Sequence, residues 1–221
     1  MEAALMKVPV LKKTYENKLV LSTDEFEIES GLVYAVIGAN GSGKSTLAKI
    51  LAGVIDADEK WKTPREIKVG YMPQKAYPFT MSVLRNLTLR GGCKEKARQM
   101  LDAFGISHLE RSNAAELSGG ETARMAMARL LMQDFDMIIL DEPTAAMDVT
   151  AAQQAEKALL DYHKRTGCTV LLITHSLKQA RRLADKIIFL KDGKLVEFGE
   201  ADILDNPTQI ETKEFLEFYS L

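Results

Sequence analysis

Gly38-Ala39-Asn40-Gly41-Ser42-Gly43-Lys44-Ser45-Thr46 places three glycines, a lysine and a run of hydroxyl side chains at a spacing that can surround a phosphate group. Glycines let backbone N–H groups approach phosphate oxygens closely, and the N-terminus of a following helix adds positive partial charge. In that arrangement Lys44 faces the β and γ phosphates as a compact cation, and the Ser45 hydroxyl ligates Mg²⁺. The structural alternative is a Gly-rich turn with a solvated lysine.

Met137-Ile138-Ile139-Leu140-Asp141-Glu142 sets two acids at the tip of an apolar strand. Asp141 can there reach a magnesium ion, directly or through water, and Glu142 can orient and polarise an attacking water. Taken alone, such a strand end is better read as the start of a solvated loop; downstream of a phosphate loop the chemical role is favoured. Leu117-Ser118-Gly119-Gly120-Glu121 has the Ser and Glu spacing of a capping box, which explains those two residues structurally. It does not explain two adjacent glycines in a first helical turn, which cost about 1 kcal/mol each against alanine. They make room for something to touch the backbone, and a second phosphate contact at a helix N-terminus fits.

The elements that must hold these residues follow from periodicity. Residues 8–12, 19–28 and 32–37 read as strands, the first ones forming a small antiparallel layer. Residues 44–54 read as a helix with Leu47, Ile50 and Leu51 on one face, so the glycines sit between strand and helix. A strand over 67–71 ends at Met72-Pro73-Gln74. Helices follow over 94–104, with Gly105 as a C-terminal cap, and over 118–132. Apolar runs at 137–140, 170–173 and 186–190 suit parallel strands buried on both faces, with helices over 151–165 and 176–184 between them. The expected fold class is α/β: a parallel-sheet core over residues 1–74 and 136–221, interrupted by an inserted helical subdomain at about 75–135.

Composition narrows the function classes. Lys plus Arg number 29 against 31 Asp plus Glu, so no global basic field holds nucleic acid, and no nucleic-acid partner is expected. The longest apolar stretches fall far short of the roughly 20 residues a spanning helix needs. The N-terminal stretch MEAALMKVPVLKK lacks the charged and apolar regions of a secretory signal, so a cytoplasmic protein is expected. Cys93 and Cys168 stand without partners at metal or redox spacing, as reduced thiols do.

GANGSGKST, the Gln74 loop, LSGGE, MIILDEPT, the Ala145-Ala146-Met147-Asp148 segment and His175 after a strand occur in the order of the ATP-binding cassette ATPases, which the chain resembles from about Tyr15 to Glu200. LSGG paired with a phosphate loop is the most specific mark. The resemblance implies a P-loop NTPase core that binds ATP and Mg²⁺ and hydrolyses ATP. Nucleotide contacts are implied for Tyr15, stacked on adenine, for Gly38, Asn40, Gly41, Ser42, Gly43, Lys44, Ser45 and Thr46, and for Gln74 and His175. Ser45, Gln74 and Asp141 would serve the metal, and Lys44, Gln74, Glu142 and His175 the reaction. Ser118, Gly119 and Gly120 would contact the γ-phosphate held by a second subunit, and Asp148 would link the two, giving a homodimer or a pseudo-symmetric ATPase pair that closes on ATP. Read singly, Tyr15 is better taken as a half-buried strand aromatic, Gln74 as a loop amide and His175 as a satisfied histidine near the sheet edge; all of them at the family's spacing favour the functional reading. The signature ends in Glu121 where glutamine is frequent, and Met147 replaces the usual leucine, a swap that conserves volume.

With no spanning segment, such a motor acts on a separate protein. The resemblance implies the ATPase subunit of a transporter with separate transmembrane permease subunits, peripheral on the inner face of the cell membrane. Residues 74–83 look like an importer's permease-contacting loop, although Tyr77, Phe79 and Met81 could equally belong to the core of the insertion. The ending, through Asn206-Pro207 to Phe215, resembles small importer subunits for oxyanions or polar amino acids, with no room for an added regulatory domain. The rivals are a soluble ATPase of the same family working on nucleic acid or ribosomes, disfavoured by balanced charge and the lack of sustained heptads, and an export or lipid-trafficking subunit.

Overall fold

The computed structural model describes residues 5–89 and 91–219; the first four residues of the N-terminal stretch considered above lie outside them. Ten strands and seven α-helices follow one another along the described residues: β1 (Leu5–Val8), β2 (Leu11–Tyr15), β3 (Lys18–Thr23), β4 (Phe26–Glu29), β5 (Val33–Ile37), α1 (Lys44–Leu51), β6 (Val69–Met72), α2 (Val83–Thr88), α3 (Lys94–Ala103), α4 (Gly119–Leu130), β7 (Met137–Asp141), α5 (Val149–Thr166), β8 (Thr169–Ile173), α6 (Leu177–Leu183), β9 (Lys186–Lys191), β10 (Lys194–Glu200) and α7 (Ile210–Tyr219).

Eight strands form one sheet in the order β2-β3-β10-β9-β5-β8-β7-β6. Strands β9, β5, β8, β7 and β6 are mutually parallel. Every residue of β5, β7 and β8 is buried, as a parallel sheet covered on both faces requires. The β9–β10 hairpin turns the sheet antiparallel, and β2 and β3 extend that edge. β1 and β4 pair antiparallel in a separate two-stranded layer, the small layer that the sequence implies.

The boundaries near the N-terminus differ from the sequence reading. The run 8–12 is split by Pro9, which cannot donate a ladder hydrogen bond, so Val8 ends β1 and Leu11 begins β2. The run 19–28 is two strands in two sheets, β3 and β4, separated at Asp24-Glu25. Strand β10 and helices α2 and α7 are additional to those expected. Gly105 has φ +65°, the left-handed cap expected after α3.

Three apolar clusters bind the layers. One joins the sheet to α2, α3, α4 and α5 through residues such as Leu87, Leu101, Met125 and Leu159. A second packs α1, through Leu47, Ile50 and Leu51, between the sheet and the β1–β4 layer. The third joins β5 and β9 to α6 and α7 through Ala180, Phe189, Phe215 and Leu216. Because the parallel strands all point one way, the segments following β5, β6, β7 and β8 emerge along one edge of the sheet, where α/β proteins place their ligands.

Candidate functional site

The cleft at that edge has a volume of about 540 Å³ and is lined by the phosphate loop, by Gln74, Glu142 and His175, and by two apolar residues, Val20 and Tyr219. Gly38 leaves β5 with φ +145°, and a side chain there would collide with the Leu190 carbonyl oxygen, so backbone shape and neighbouring strand β9 both demand glycine. Gly43, also left-handed, starts α1, whose first residue is Lys44. The Lys44 ammonium donates to the carbonyl oxygens of Gly38 and Ala39, both at 2.8 Å, folding the lysine back over its own loop. Burial pushes the Lys44 pKa down, opposed by the charges of Glu142 and Asp141.

Glu142 follows β7 and adopts φ +49°, a left-handed conformation that costs a non-glycine residue on the order of 1 kcal/mol. Its N–H donates to the Ile173 carbonyl at 3.0 Å, which ties the strained turn to β8. The Gln74 side chain donates to Glu142 Oε2 at 2.9 Å, and His175 Nδ1 lies 3.6 Å from the same oxygen. Two side chains, from the segments after β6 and β8, thus meet the carboxylate that follows β7 between them, in the cleft that the lysine loop also lines. Behind them, Gln179 donates to Thr144 Oγ1 at 3.0 Å and to Glu156 Oε1 at 2.9 Å, and Arg182 pairs with Glu156, pinning the loop that carries Glu142 to α5 and α6.

Asp141 is buried at the end of β7. Burial pushes its carboxyl pKa up, a hydrogen bond with Ser45 holds it down, and the neighbouring Glu142 charge raises it again. Its Oδ1, like the Ser42 hydroxyl, is buried without a hydrogen-bond partner. A desolvated carboxylate beside a serine hydroxyl, with an oxygen unsatisfied, is a donor set that fits a hard divalent cation, and the unpartnered Ser42 hydroxyl suits a loop that binds a polar group.

The remaining residues singled out by the sequence lie apart from this cleft. Tyr15, at the end of β2, is not part of its lining; its ring lies 5.4 Å from the Lys13 ammonium. Ser118 caps α4 in a complete capping box, accepting from the Glu121 N–H at 3.4 Å, while Glu121 accepts from the Ser118 N–H at 2.8 Å. A side chain at Gly120 would meet the Ala146 carbonyl at 2.8 Å, so the contact that demands glycine there is made by this chain's own segment after Glu142. Gly119 meets only an ordinary contact and stays exposed. Asp148 caps α5, accepting from the Ala151 N–H at 2.9 Å. Sequence reasoning missed Val20, Tyr219 and Gln179, which reach or support the site from distant parts of the chain and carry no local signal.

A second cleft, about 550 Å³, lies between strand β6 and helices α2 and α4, with Tyr77, Phe79, Leu89 and Arg129 among its lining. Arg129 stacks over Phe79 at 5.0 Å and donates to Asn86 Oδ1 and the Tyr77 carbonyl; burial lowers its pKa. Fully buried Asn86 in turn bonds both backbone groups of Phe79, so the exposed Tyr77 and Phe79 are held on an ordered segment. Among the described residues no helix is long and apolar enough to cross a membrane.

The family model described as ABC transporter matches residues 21–145, more than half of the chain. The tungstate uptake system ATP-binding protein TupC of Peptoclostridium acidaminophilum is 38% identical over 87% of this chain and 95% of its own length. The aliphatic sulfonates import ATP-binding protein SsuB 1 of Streptomyces avermitilis is 33% identical over 97% of this chain and 84% of its own. Among solved structures, cbiO1 from Clostridium perfringens, part of the ABC transporter complex cbiONQ, superposes with a TM-score of 0.77 over the full length of both chains at 23% identity, a likeness of fold. Since the match takes in both the lysine loop and the strand that ends in two acids, this chain belongs to the ABC transporter family and is an ATP-binding, ATP-hydrolysing member of it.

Proposed function

We propose that the chain is the ATPase subunit of an importer, driving a separate transmembrane permease from the inner face of the cell membrane. The observation that carries the reading is the convergence of Gln74 and His175 on Glu142 Oε2 in the cleft lined by the Lys44 loop. In this reading Gly38, Asn40, Gly41, Ser42, Gly43, Ser45 and Thr46 cradle the triphosphate of ATP, and Lys44 leaves its two carbonyl partners for the β and γ phosphates. Ser45, Asp141 and Gln74 hold Mg²⁺, which when bound neutralises phosphate charge. Glu142 accepts a proton from the attacking water, while Gln74 and His175 fix its carboxylate; His175 also reaches the γ-phosphate. Tyr15 would have to swing in to meet the base.

The cleft as built by one chain has no donor from Ser118, Gly119 or Gly120, since none of them lines it. A second copy, or a similar ATPase subunit, presenting exposed Ser118 and Gly119 and half-buried Gly120 closes the site, with Asp148 at the seam; ATP then favours the closed pair and ADP does not. Residues 75–135 would act as a helical unit docked on the core of 1–74 and 136–221, and its groove with the ordered Tyr77 and Phe79 receives the permease. Aromatic side chains held exposed beside an apolar groove favour a protein partner over nucleic acid. The relatives named for tungstate uptake and sulfonate import support transport inward.

Pairing the chain with the membrane subunit encoded beside its gene, in proteoliposomes, tests this. The wild type should show permease-stimulated ATPase and ATP-dependent solute uptake, and the double variant Tyr77→Glu, Phe79→Glu should lose both by at least about tenfold, with MgATP affinity unchanged. Full coupling in the double variant contradicts the docking surface. Stimulation by ribosomes or RNA in place of the permease contradicts the transport reading.

A further inference from the structure

We propose that Gln179 of α6 is a positioning residue for the reaction: its amide clamps the Glu142 loop against the His175 segment and so sets how closely the imidazole stands to the Glu142 carboxylate. The inference rests on the catalytic reading of that carboxylate given above.

The ladder between β7 and β8 runs as far as Asp141 and Ile173 and closes with the Glu142 N–H donated to the Ile173 carbonyl at 3.0 Å. Past that bond the chains part, one entering the turn that caps α5 at Asp148 and the other passing through His175 into α6. His175 Nδ1 and Glu142 Oε2 face each other across 3.6 Å. Gln179 ties the two segments together beyond the ladder. Its place relative to His175 is fixed, because the Ser176 N–H donates to Thr174 Oγ1 at 3.0 Å and the Gln179 N–H to Ser176 Oγ at 3.2 Å. From there the side-chain amide donates to Thr144 Oγ1 at 3.0 Å, two residues past Glu142, and to Glu156 Oε1 of α5 at 2.9 Å.

The packing of α6 on α5 does not require this bridge. Arg182 already links the two helices, its Nη2 lying 2.7 Å from both oxygens of Glu156 and its Nε 2.9 Å from Oε2. An ionised carboxylate only accepts, so Glu156 fixes which end of the Gln179 amide faces it, and the second amide hydrogen is left for Thr144. Gln179 and Glu156 are 5% and 6% exposed, so the bridge is made away from competing water. An amide held on one side by a pinned carboxylate resists displacement of the hydroxyl on its other side. Leucine would fill a similar volume and tie Thr144 to nothing.

Two measurements read the clamp: the steady-state ATPase of the chain paired with its permease, and the imidazole nitrogen NMR signals of the chain's three histidines at fixed pH without nucleotide. Gln179→Leu, and Thr144→Val, which removes the accepting oxygen at nearly the same shape, should each lower kcat by between about 5-fold and 50-fold. KM for ATP should stay within about twofold of wild type, since a small shift of the carboxylate costs the reaction and not the phosphate contacts. Both variants should move the His175 signals and leave those of His108 and His163 in place. Thr144→Ser, which keeps the oxygen, should match wild type in both measurements and so separates the hydrogen bond from the fold of the loop. Wild-type kcat in Gln179→Leu and Thr144→Val, a loss carried by KM, unmoved His175 signals, or a Thr144→Ser variant as impaired as Thr144→Val overturns the assignment. Wild-type turnover in Glu142→Gln removes the catalytic reading, and with it the catalytic use of the clamp; the histidine signals tell the two failures apart, because they report the clamp without turnover.

Discussion

Lys44→Ala should lower ATPase turnover by about 10²- to 10³-fold and weaken ATP binding, because in the proposed site it deletes the cation that the phosphate loop offers to the β and γ phosphates. Lys44 is buried and its charge is disfavoured there by desolvation. The loop therefore holds a strained cation that a polyanion relieves, and alanine removes the relief. The two carbonyl groups that Lys44 now satisfies, Gly38 and Ala39, lie at the cleft where water can replace it, so the fold should survive and thermal unfolding without nucleotide should stay close to wild type. Lys44→Arg should rescue little, since a planar fork does not replace a compact ammonium in a loop shaped around one. Measured turnover within a few-fold of wild type in Lys44→Ala contradicts the site.

Glu142→Gln separates chemistry from binding. The side chain keeps its size and its place beside Gln74 and His175 but cannot take a proton from water, so hydrolysis should fall by about 10²- to 10⁴-fold while MgATP affinity stays within a few-fold of wild type. With hydrolysis stopped, the ATP-bound pair should accumulate, visible by gel filtration with MgATP and absent with MgADP. Wild-type turnover in this variant excludes Glu142 as the proton acceptor. The left-handed backbone at Glu142 sharpens the expectation: the turn aims this carboxylate into the cleft at a conformational cost that a purely structural loop residue would avoid.

The phosphate loop, the Asp141-Glu142 pair and the capping box at Ser118 are legible in the sequence because each is a local pattern whose geometry is dictated within a few residues. The parallel core is legible for a similar reason: β5, β7 and β8 are unbroken apolar runs. What could not be read depends on distance. Tyr219 meets the phosphate loop only through the packing of α7 on β9, and Val20 only through the placement of β3, so neither has a flanking signature. The two glycines after Ser118 have the opposite history. Their types announce a close approach, yet at Gly120 the approaching group is Ala146 of the same chain, which only the fold reveals. The stretch at 19–28 misleads because Leu19 and Leu21, and then Phe26 and Ile28, each alternate as a strand does, while the phase changes across Asp24-Glu25, where the chain changes sheets.

The claim on which the account turns is that the Ser118 segment of one copy completes the cleft of another. Two chains with one introduced cysteine each test it, both carrying Cys93→Ser to remove the exposed native thiol; buried Cys168, whose pKa burial pushes up to about 12, stays as it is. One chain carries Asn40→Cys, at an exposed residue of the cleft lining, and the other Ser118→Cys, also exposed. Because each chain holds one introduced thiol, a bond between the two sites can only join different molecules. The account predicts a crosslinked species of twice the chain mass when the two are mixed in MgATP with Glu142→Gln in both, none in MgADP, and none when Lys44→Ala is added to both chains. Saturating MgATP without an interchain bond, or a bond equally frequent without nucleotide, contradicts it.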